Sequence, residues 1–329
     1  MNLVTDIKYN ADSNGGNISF KVDRSSIRQG NAVIAIKDVS DAILWSWHVW
    51  VTDEDINNVI EITNHQNVKY NFMPVNLGQC DGNTITYEER SCKVKFIAGD
   101  QSKEITIKQL ANVIATGSNA PFYQWGRKDP LYPSNGMGNT TKIWYDKEGI
   151  PSTANPMKGT FSAGNDCIKN CILNPNLMHN RYNGDYTYYN LWSADNKTTS
   201  ANDNPVNKTI YDPCPVGFKL PASNAFTGFT TTGESVSSST QVNGTWSSSE
   251  KGWYFYTNSE KTQSIFFPAL GYRSYSTMRP GSIGTQGCFW SAHPVAKGNN
   301  YYLRTSSVDV QPTYMVDRGF GYALRPCQD

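Results

Sequence analysis

Four histidines, at positions 48, 65, 179 and 293, and seven cysteines, at 80, 92, 167, 171, 214, 288 and 327, are the side chains with which this chain could hold a metal or supply a nucleophile. Zinc needs Cys-x2-Cys pairs or a histidine spaced beside a cysteine, and neither occurs. The histidines are scattered and have no partner visible in the sequence for general acid–base work. No His-Glu-x-x-His, Gly-x-Ser-x-Gly or Walker sequence is present. Asp53, Asp55 and Asn57 have the spacing of the first calcium-loop ligands, but the glycine of the sharp turn and the acidic twelfth position are missing. Gly136-Met-Gly138 lacks a third glycine and a preceding strand, so it reads as a loop. The carboxylates are too dispersed to nominate a catalytic pair. The sequence therefore implies no cofactor, no metal and no enzyme, and points to a binding protein.

Composition agrees with that direction. The 329 residues suffice for one large or two modest domains. Only 17% are charged, while 12% are aromatic, with 19 Tyr and 9 Trp. A β protein rich in aromatic rings and uncharged polar groups suits a cell exterior and contact with sugars or proteins. Net charge is +1 and there is no basic stripe, which argues against nucleic acid. The apolar runs are far too short to span a bilayer as a helix. Met1 to Asp6 has no signal-peptide character, so the natural N-terminus is expected upstream.

The elements that must position any site are short. Ile18–Val22 and Asn31–Lys37 alternate as strands do. Ile43–Val51 is apolar on both faces, which predicts a central strand; His48 on it is expected to be packing. Residues 84–110 predict an inserted β-hairpin turning near Gly99. Short helices are expected after Pro121, over 166–173 and over 222–228. Strands are expected at 245–249, 253–256, 264–273, 288–291, 301–304 and 318–327. Tyr211-Asp-Pro-Cys-Pro-Val-Gly-Phe-Lys-Leu-Pro221 holds three prolines and one glycine in eleven residues, so it predicts a stiff bent connector.

That connector resembles a segment of the fimbrillin-like surface proteins of Bacteroidales and of a related domain repeated in Fibrobacter surface proteins. Further stretches resemble the same family in the same order: Trp45-Ser-Trp-His-Val-Trp-Val-Thr-Asp53, Phe72–Gly78, Tyr123-Gln-Trp-Gly-Arg-Lys-Asp-Pro130, Asn190–Asp195, Phe267-Pro-Ala-Leu-Gly-Tyr-Arg273 and Arg318-Gly-Phe-Gly-Tyr-Ala-Leu-Arg325. The likeness covers about residues 31 to 327. It implies an α+β, C-type lectin-like domain over 41–329, behind a β remnant or linker over 1–40. It further implies a fimbrial or pilus component at the cell surface or outer membrane, whose partners are other pilus subunits and a host or bacterial protein or glycan, with no direct membrane span.

Within that expectation, Cys214 pairs with Cys327, closing a loop of about 110 residues worth up to about 4.7 kcal/mol on the loop-entropy view. Cys80 with Cys92 is a second possible disulfide. The ligand-facing surface is expected in loops between C-terminal strands, with Trp253, Tyr254, Tyr272, Arg273, Tyr275 and Arg279 as candidates, since aromatic and arginine side chains anchor interfaces. Calcium-dependent lectins of this fold carry Glu-Pro-Asn or Gln-Pro-Asp, whereas here Gln311-Pro-Thr313 departs at the acidic residue. A metal-independent carbohydrate-binding module is one alternative. A relative of the formylglycine-generating oxidases is another, and it would need a reactive cysteine pair. The chain stops two residues after Cys327, too soon for a donor strand, so a tip subunit is expected and not a shaft subunit.

Overall fold

The computed structural model describes residues 3–25, 27–81, 84–115, 119–131, 144–145, 151–152, 160–161, 166–180, 188–295 and 298–329. Strands β1 (Thr5–Asn10) and β2 (Asn17–Lys21) form an exposed hairpin, and β3 (Gly30–Lys37) pairs along its length with β4 (Ile43–Val51). The pairing of β3 with β4 joins the chain on either side of residue 40 into one ribbon. This ribbon has only two strands, so β4 is an edge and not the central strand its composition suggested. Leu44 and Trp47 reach solvent, while Ser46 turns into the protein.

Next come β5 (Ile60–Thr63) and β6 (Lys69–Phe72). The inserted arm follows: β7 (Thr84–Tyr87), β8 (Arg90–Ala98), β9 (Gln101–Gln109) and β10 (Asn112–Ala115). β8 pairs with β9, and β7 with β10, in one unbroken register, so the hairpin runs to Ala115, beyond the predicted end. Gly99, at φ +60°, makes the turn between β8 and β9. The segment after Pro121 forms no helix: it gives β11 (Tyr123–Gln124) and then a turn. Two-residue pairs link β12 (Trp144–Tyr145) with β13 (Pro151–Ser152), and β14 (Thr160–Phe161) with β15 (Met178–His179). Helix α1 spans Cys167–Leu173. The expected loop over 131–160 lies mostly outside the described residues.

The C-terminal half begins with β16 (Phe218–Lys219) and a 3-10 helix over Ser223–Phe229. β17 (Gly244–Ser247), β18 (Gly252–Tyr256) and β19 (Ser264–Pro268) make a three-stranded antiparallel sheet. Gly271, at φ +73°, ends that run, since a side chain there would meet the Gly281 carbonyl at 2.2 Å. β20 (Tyr272–Arg273) and β21 (Pro280–Gly281) start a different sheet. A second three-stranded sheet contains β22 (Gly287–Pro294), β23 (Asn299–Thr305) and β24 (Val310–Asp317). β24 was not expected from the sequence. Its Pro312 is tolerated because the strand is an edge and its register shifts beside that residue. β25 (Gly321–Tyr322) joins β11 to β20, and β26 (Cys327–Gln328) joins β16 to β6. Small, mostly antiparallel sheets therefore dominate this fold, with few and short helices.

β22 is the strand with both faces buried. Phe289 points into one core with Phe72, Phe226, Phe229, Phe255 and Phe267. Cys288, Trp290 and Ala292 point into another with Trp125, Trp192, Tyr302 and Tyr322. Alternation of period two on an entirely buried strand places it between two packed layers. The aromatic rings meet edge-on or offset, as Phe267 does with Phe289 at 5.0 Å.

Three of the stretches singled out in the sequence are joints between these layers. In 123–130, the Trp125 indole donates to the Ser291 carbonyl at 3.1 Å, and Gln124 donates to the carbonyls of His179 and Gly319. Arg127 donates to the carbonyls of Leu177 and Pro175, which fixes the chain after α1. In the connector, the Asp212 carboxylate accepts the backbone N–H groups of Cys214 and Leu220, at 2.8 and 3.1 Å. Buried Arg325 donates to Asn76 and to the carbonyls of Met73, Pro74 and Phe266.

Candidate functional site

The six expected site residues divide into two environments. Trp253 is 1% exposed and belongs to the aromatic core, its indole donating to the Ser306 carbonyl at 2.7 Å. It cannot meet a ligand there, and the expectation for it is corrected. Tyr254, next on β18, points to the opposite face, packs on Phe266 at 4.7 Å and donates to Glu250.

Tyr272, Arg273, Tyr275 and Arg279 do come together, around the loop that joins β20 to β21. Ser274 and Arg279 close this loop through the Ser274 N–H and the Arg279 carbonyl at 3.0 Å, and Met278 donates back to Ser274 at 2.8 Å. Arg273, only 2% exposed, lies beneath it and donates to the Met278 carbonyl at 2.5 Å. Arg273 is therefore a positioning residue, and its expected role as a direct contact is corrected: a guanidinium sealed under the loop cannot also reach a ligand. Arg279 is exposed, and Tyr272 and Tyr275 are half-buried. Both tyrosine rings lean on Phe320, at 5.5 and 4.9 Å. Phe320 stacks on Tyr322, which packs on Trp290 at 4.4 Å in the core. A continuous series of rings thus supports the loop from below. Phe320 was missed in the sequence; its place between the two glycines of Arg318-Gly-Phe-Gly321 was the available signal.

A concavity of about 570 Å³ runs beside β4 between Phe20, Ile34, Trp47, Trp50 and Pro213. Its size is that of a small-molecule pocket. Its polar walls are few, Thr52 and His48. His48 is already engaged, its Nε2–H with Asn31 Oδ1 at 2.8 Å and its Nδ1 with the Tyr123 hydroxyl at 2.9 Å.

Ser223 and His293 lie 3.2 Å apart, Oγ to Nδ1, but both side chains are sealed in the interior and the Ser223 N–H also points at Nδ1. Such a pair has no route to a substrate. Among the described residues, no group of three His, Cys, Asp or Glu is placed to hold a metal ion.

The cysteines depart from the expected pairing. Cys214 and Cys327 are separate, buried thiols. Cys214 packs in the tryptophan-rich core and Cys327 in the phenylalanine-rich one. Cys92 is an exposed free thiol on β8, so the proposed bond with Cys80 is not formed either; its β9 neighbour is Ile107. Burial pushes the Cys288 and Cys327 thiols up to about 12 and raises Cys214 well above its ordinary value. Cys288 therefore does not supply a reactive thiolate near neutral pH. A thiol-labelling time course without reductant should modify Cys92 early. It should modify Cys214, Cys288 and Cys327 only after unfolding. A cross-linked Cys214–Cys327 peptide would overturn the free-thiol assignment.

Comparison with known proteins finds no matching family, no matching curated protein and no matching solved structure. No helix among the described residues is long and apolar enough to cross a membrane.

Proposed function

We propose that this chain is a fimbrial component of the cell surface, binding a protein or glycan through the 274–279 loop of a C-type lectin-like domain. The observation that supports this reading is one loop that presents exposed Arg279 beside half-buried Tyr272 and Tyr275, held from beneath by Arg273 and Phe320. Half-exposed tyrosines next to arginine, on a rigid base, make an adhesive surface at low entropic cost. The ordered series of fimbrillin-like motifs supports the fimbrial setting. A metal-independent sugar site would use the same rings as a platform, with Arg279 on its rim. The oxidase alternative gains nothing from the cysteines, whose candidate Cys288 is sealed and protonated.

Arg279→Ala changes an exposed group, so stability should move by less than about 1 kcal/mol. Tyr275→Ala also removes a half-buried ring packed on Phe320 and should cost about 1–3 kcal/mol, so its binding is measured on the folded protein. Binding to a glycan array or to host cells should fall at least tenfold in each variant, as expected for interface anchors. Unchanged binding in both would remove the loop as the site. An adhesive face is most accessible at the end of a fimbria, so immunogold label is expected there, and label spaced along the shaft would contradict that position.

A further inference from the structure

The inserted arm carries a surface that the adhesive loop does not use. β8 and β9 pair from Arg90 with Gln109 to Ala98 with Gln101, and neither strand contributes to either core. Side chains alternate across this ribbon. One face presents Cys92, Val94 and Phe96 from β8, with Ile105 and Ile107 from β9, and is flanked by Arg90 at one end and Lys103 at the other. The other presents Lys93 and Lys95, with Glu104, Thr106 and Lys108. Phe96, Ile105 and Ile107 are 57%, 45% and 53% exposed. A two-stranded ribbon with an uncovered apolar face is marginal in water, and a third strand is what stabilises such a unit.

Its two edges differ. The β8 edge carries Arg90, Lys93 and Lys95 and no carboxylate, whereas the β9 edge mixes Lys103, Glu104 and Lys108. Lys93 bonds Glu104 across the ribbon at 2.8 Å, and both groups are exposed. We propose that the β8 edge receives an extended segment of another protein in which apolar and acidic residues alternate. Its backbone would pair with the free edge, its apolar side chains would widen the Val94–Phe96 face, and its carboxylates would lie beside Lys93 and Lys95. The same lysines disfavour a second copy of this chain: β8 against β8, centred on Val94, sets Lys93 of one copy opposite Lys95 of the other, twice over. A lipid surface fits less well, because a bilayer touching the apolar face meets only Arg90 and Lys103 and leaves Lys93, Lys95 and Lys108 pointing away from it.

The probe is a nine-residue peptide of alternating Val and Glu, capped at both ends and fluorescently labelled, titrated into the full chain. Saturable binding is expected, weakened at least tenfold by 300 mM salt and at least tenfold by the double change Lys93→Glu with Lys95→Glu. Both changes face Glu104, so pairing of the ribbon in the variant is checked by amide exchange over 90–109, and Lys93→Gln with Lys95→Gln, which adds no repulsion, should weaken binding in the same direction. A Val/Lys peptide should bind the double variant better than the parent. No binding of the Val/Glu peptide, or binding indifferent to the charge reversal, would overturn the proposal. So would sedimentation showing that the arm pairs two copies of this chain. Equal capture by anionic phosphatidylserine vesicles, abolished by the same double change, would assign the arm to membranes instead.

Discussion

Acidifying this protein from pH 7 to pH 4.5 is expected to remove most of its stability. Burial pushes the His48 and His293 imidazoles down to about 4 and His179 to about 3. The surroundings explain why little offsets that burial. His48 has the Asp129 carboxylate nearby, but its Nδ1 accepts from the Tyr123 hydroxyl. His179 is disfavoured further by Arg127 and Arg318. Around His293 the backbone of Asn202 and Asn204 and the Asp203 carboxylate favour the charged form, but burial outweighs them, and the Ser223 N–H directed at Nδ1 favours the neutral ring. In the unfolded chain each histidine titrates near 6.5. The contribution is therefore fully present above pH 6.5 and is lost as pH falls toward the folded values. Each histidine costs about 1.4 kcal/mol per pH unit below 6.5, so three of them cost about 8 kcal/mol at pH 4.5. Domains of this kind have about 5–15 kcal/mol in total. Urea unfolding at pH 7, 6, 5 and 4.5 should show a slope approaching 4 kcal/mol per pH unit below pH 6. His48→Gln should reduce the slope by about a third. A stability unchanged between pH 7 and pH 5 would refute the assignment of these three imidazoles as buried and neutral.

The same burial explains what was legible in the sequence. β17 to β19 and β22 were visible because each is a short run rich in aromatic residues and turns separate them. β24 was hidden by Pro312, which a central strand would exclude but this edge strand accommodates at a register shift. β4 was placed at the centre because tryptophan occupies both its faces, yet Trp45 gains its cover from the Lys128 ammonium, 4.4 Å from the ring centroid, and not from a second flanking strand. The helix expected after Pro121 gave way because Gln124 and Arg127 bond carbonyls from distant segments, and long-range bonds of that kind leave no periodic signal. In the candidate site, residue type pointed to the 274–279 loop. It did not separate Arg279, in solvent, from Arg273, sealed under the same loop. That distinction depends on which strand pairs with β20, and pairing is set by residues nearly fifty positions away at Gly321.

Removing either half of the ion pair between Lys128 and Asp129 is expected to cost about 3–5 kcal/mol, more than removing both. The two groups are buried, with Nζ to Oδ2 at 2.8 Å. Ser46 of β4 completes the unit: its hydroxyl lies 2.6 Å from Asp129 Oδ1, and its carbonyl accepts from the Lys128 ammonium at 2.9 Å. Lys128→Met leaves a carboxylate in the interior with one hydroxyl for company, and Asp129→Leu leaves an ammonium with only neutral acceptors. Either survivor carries an uncompensated charge at a site where burial already lowers the Lys128 pKa. The double change, Lys128→Met with Asp129→Leu, leaves no charge behind. It still strands the Ser46 carbonyl and hydroxyl, which costs about 1–3 kcal/mol. The double variant should therefore unfold at a higher urea concentration than either single variant. Because this unit pins β4 to the 123–130 turn, both single variants should also loosen the β3–β4 ribbon, seen as faster amide exchange over Ile43–Val51. Additive losses in the double variant would mean that the two charges are solvated separately and that β4 is held by its indoles alone.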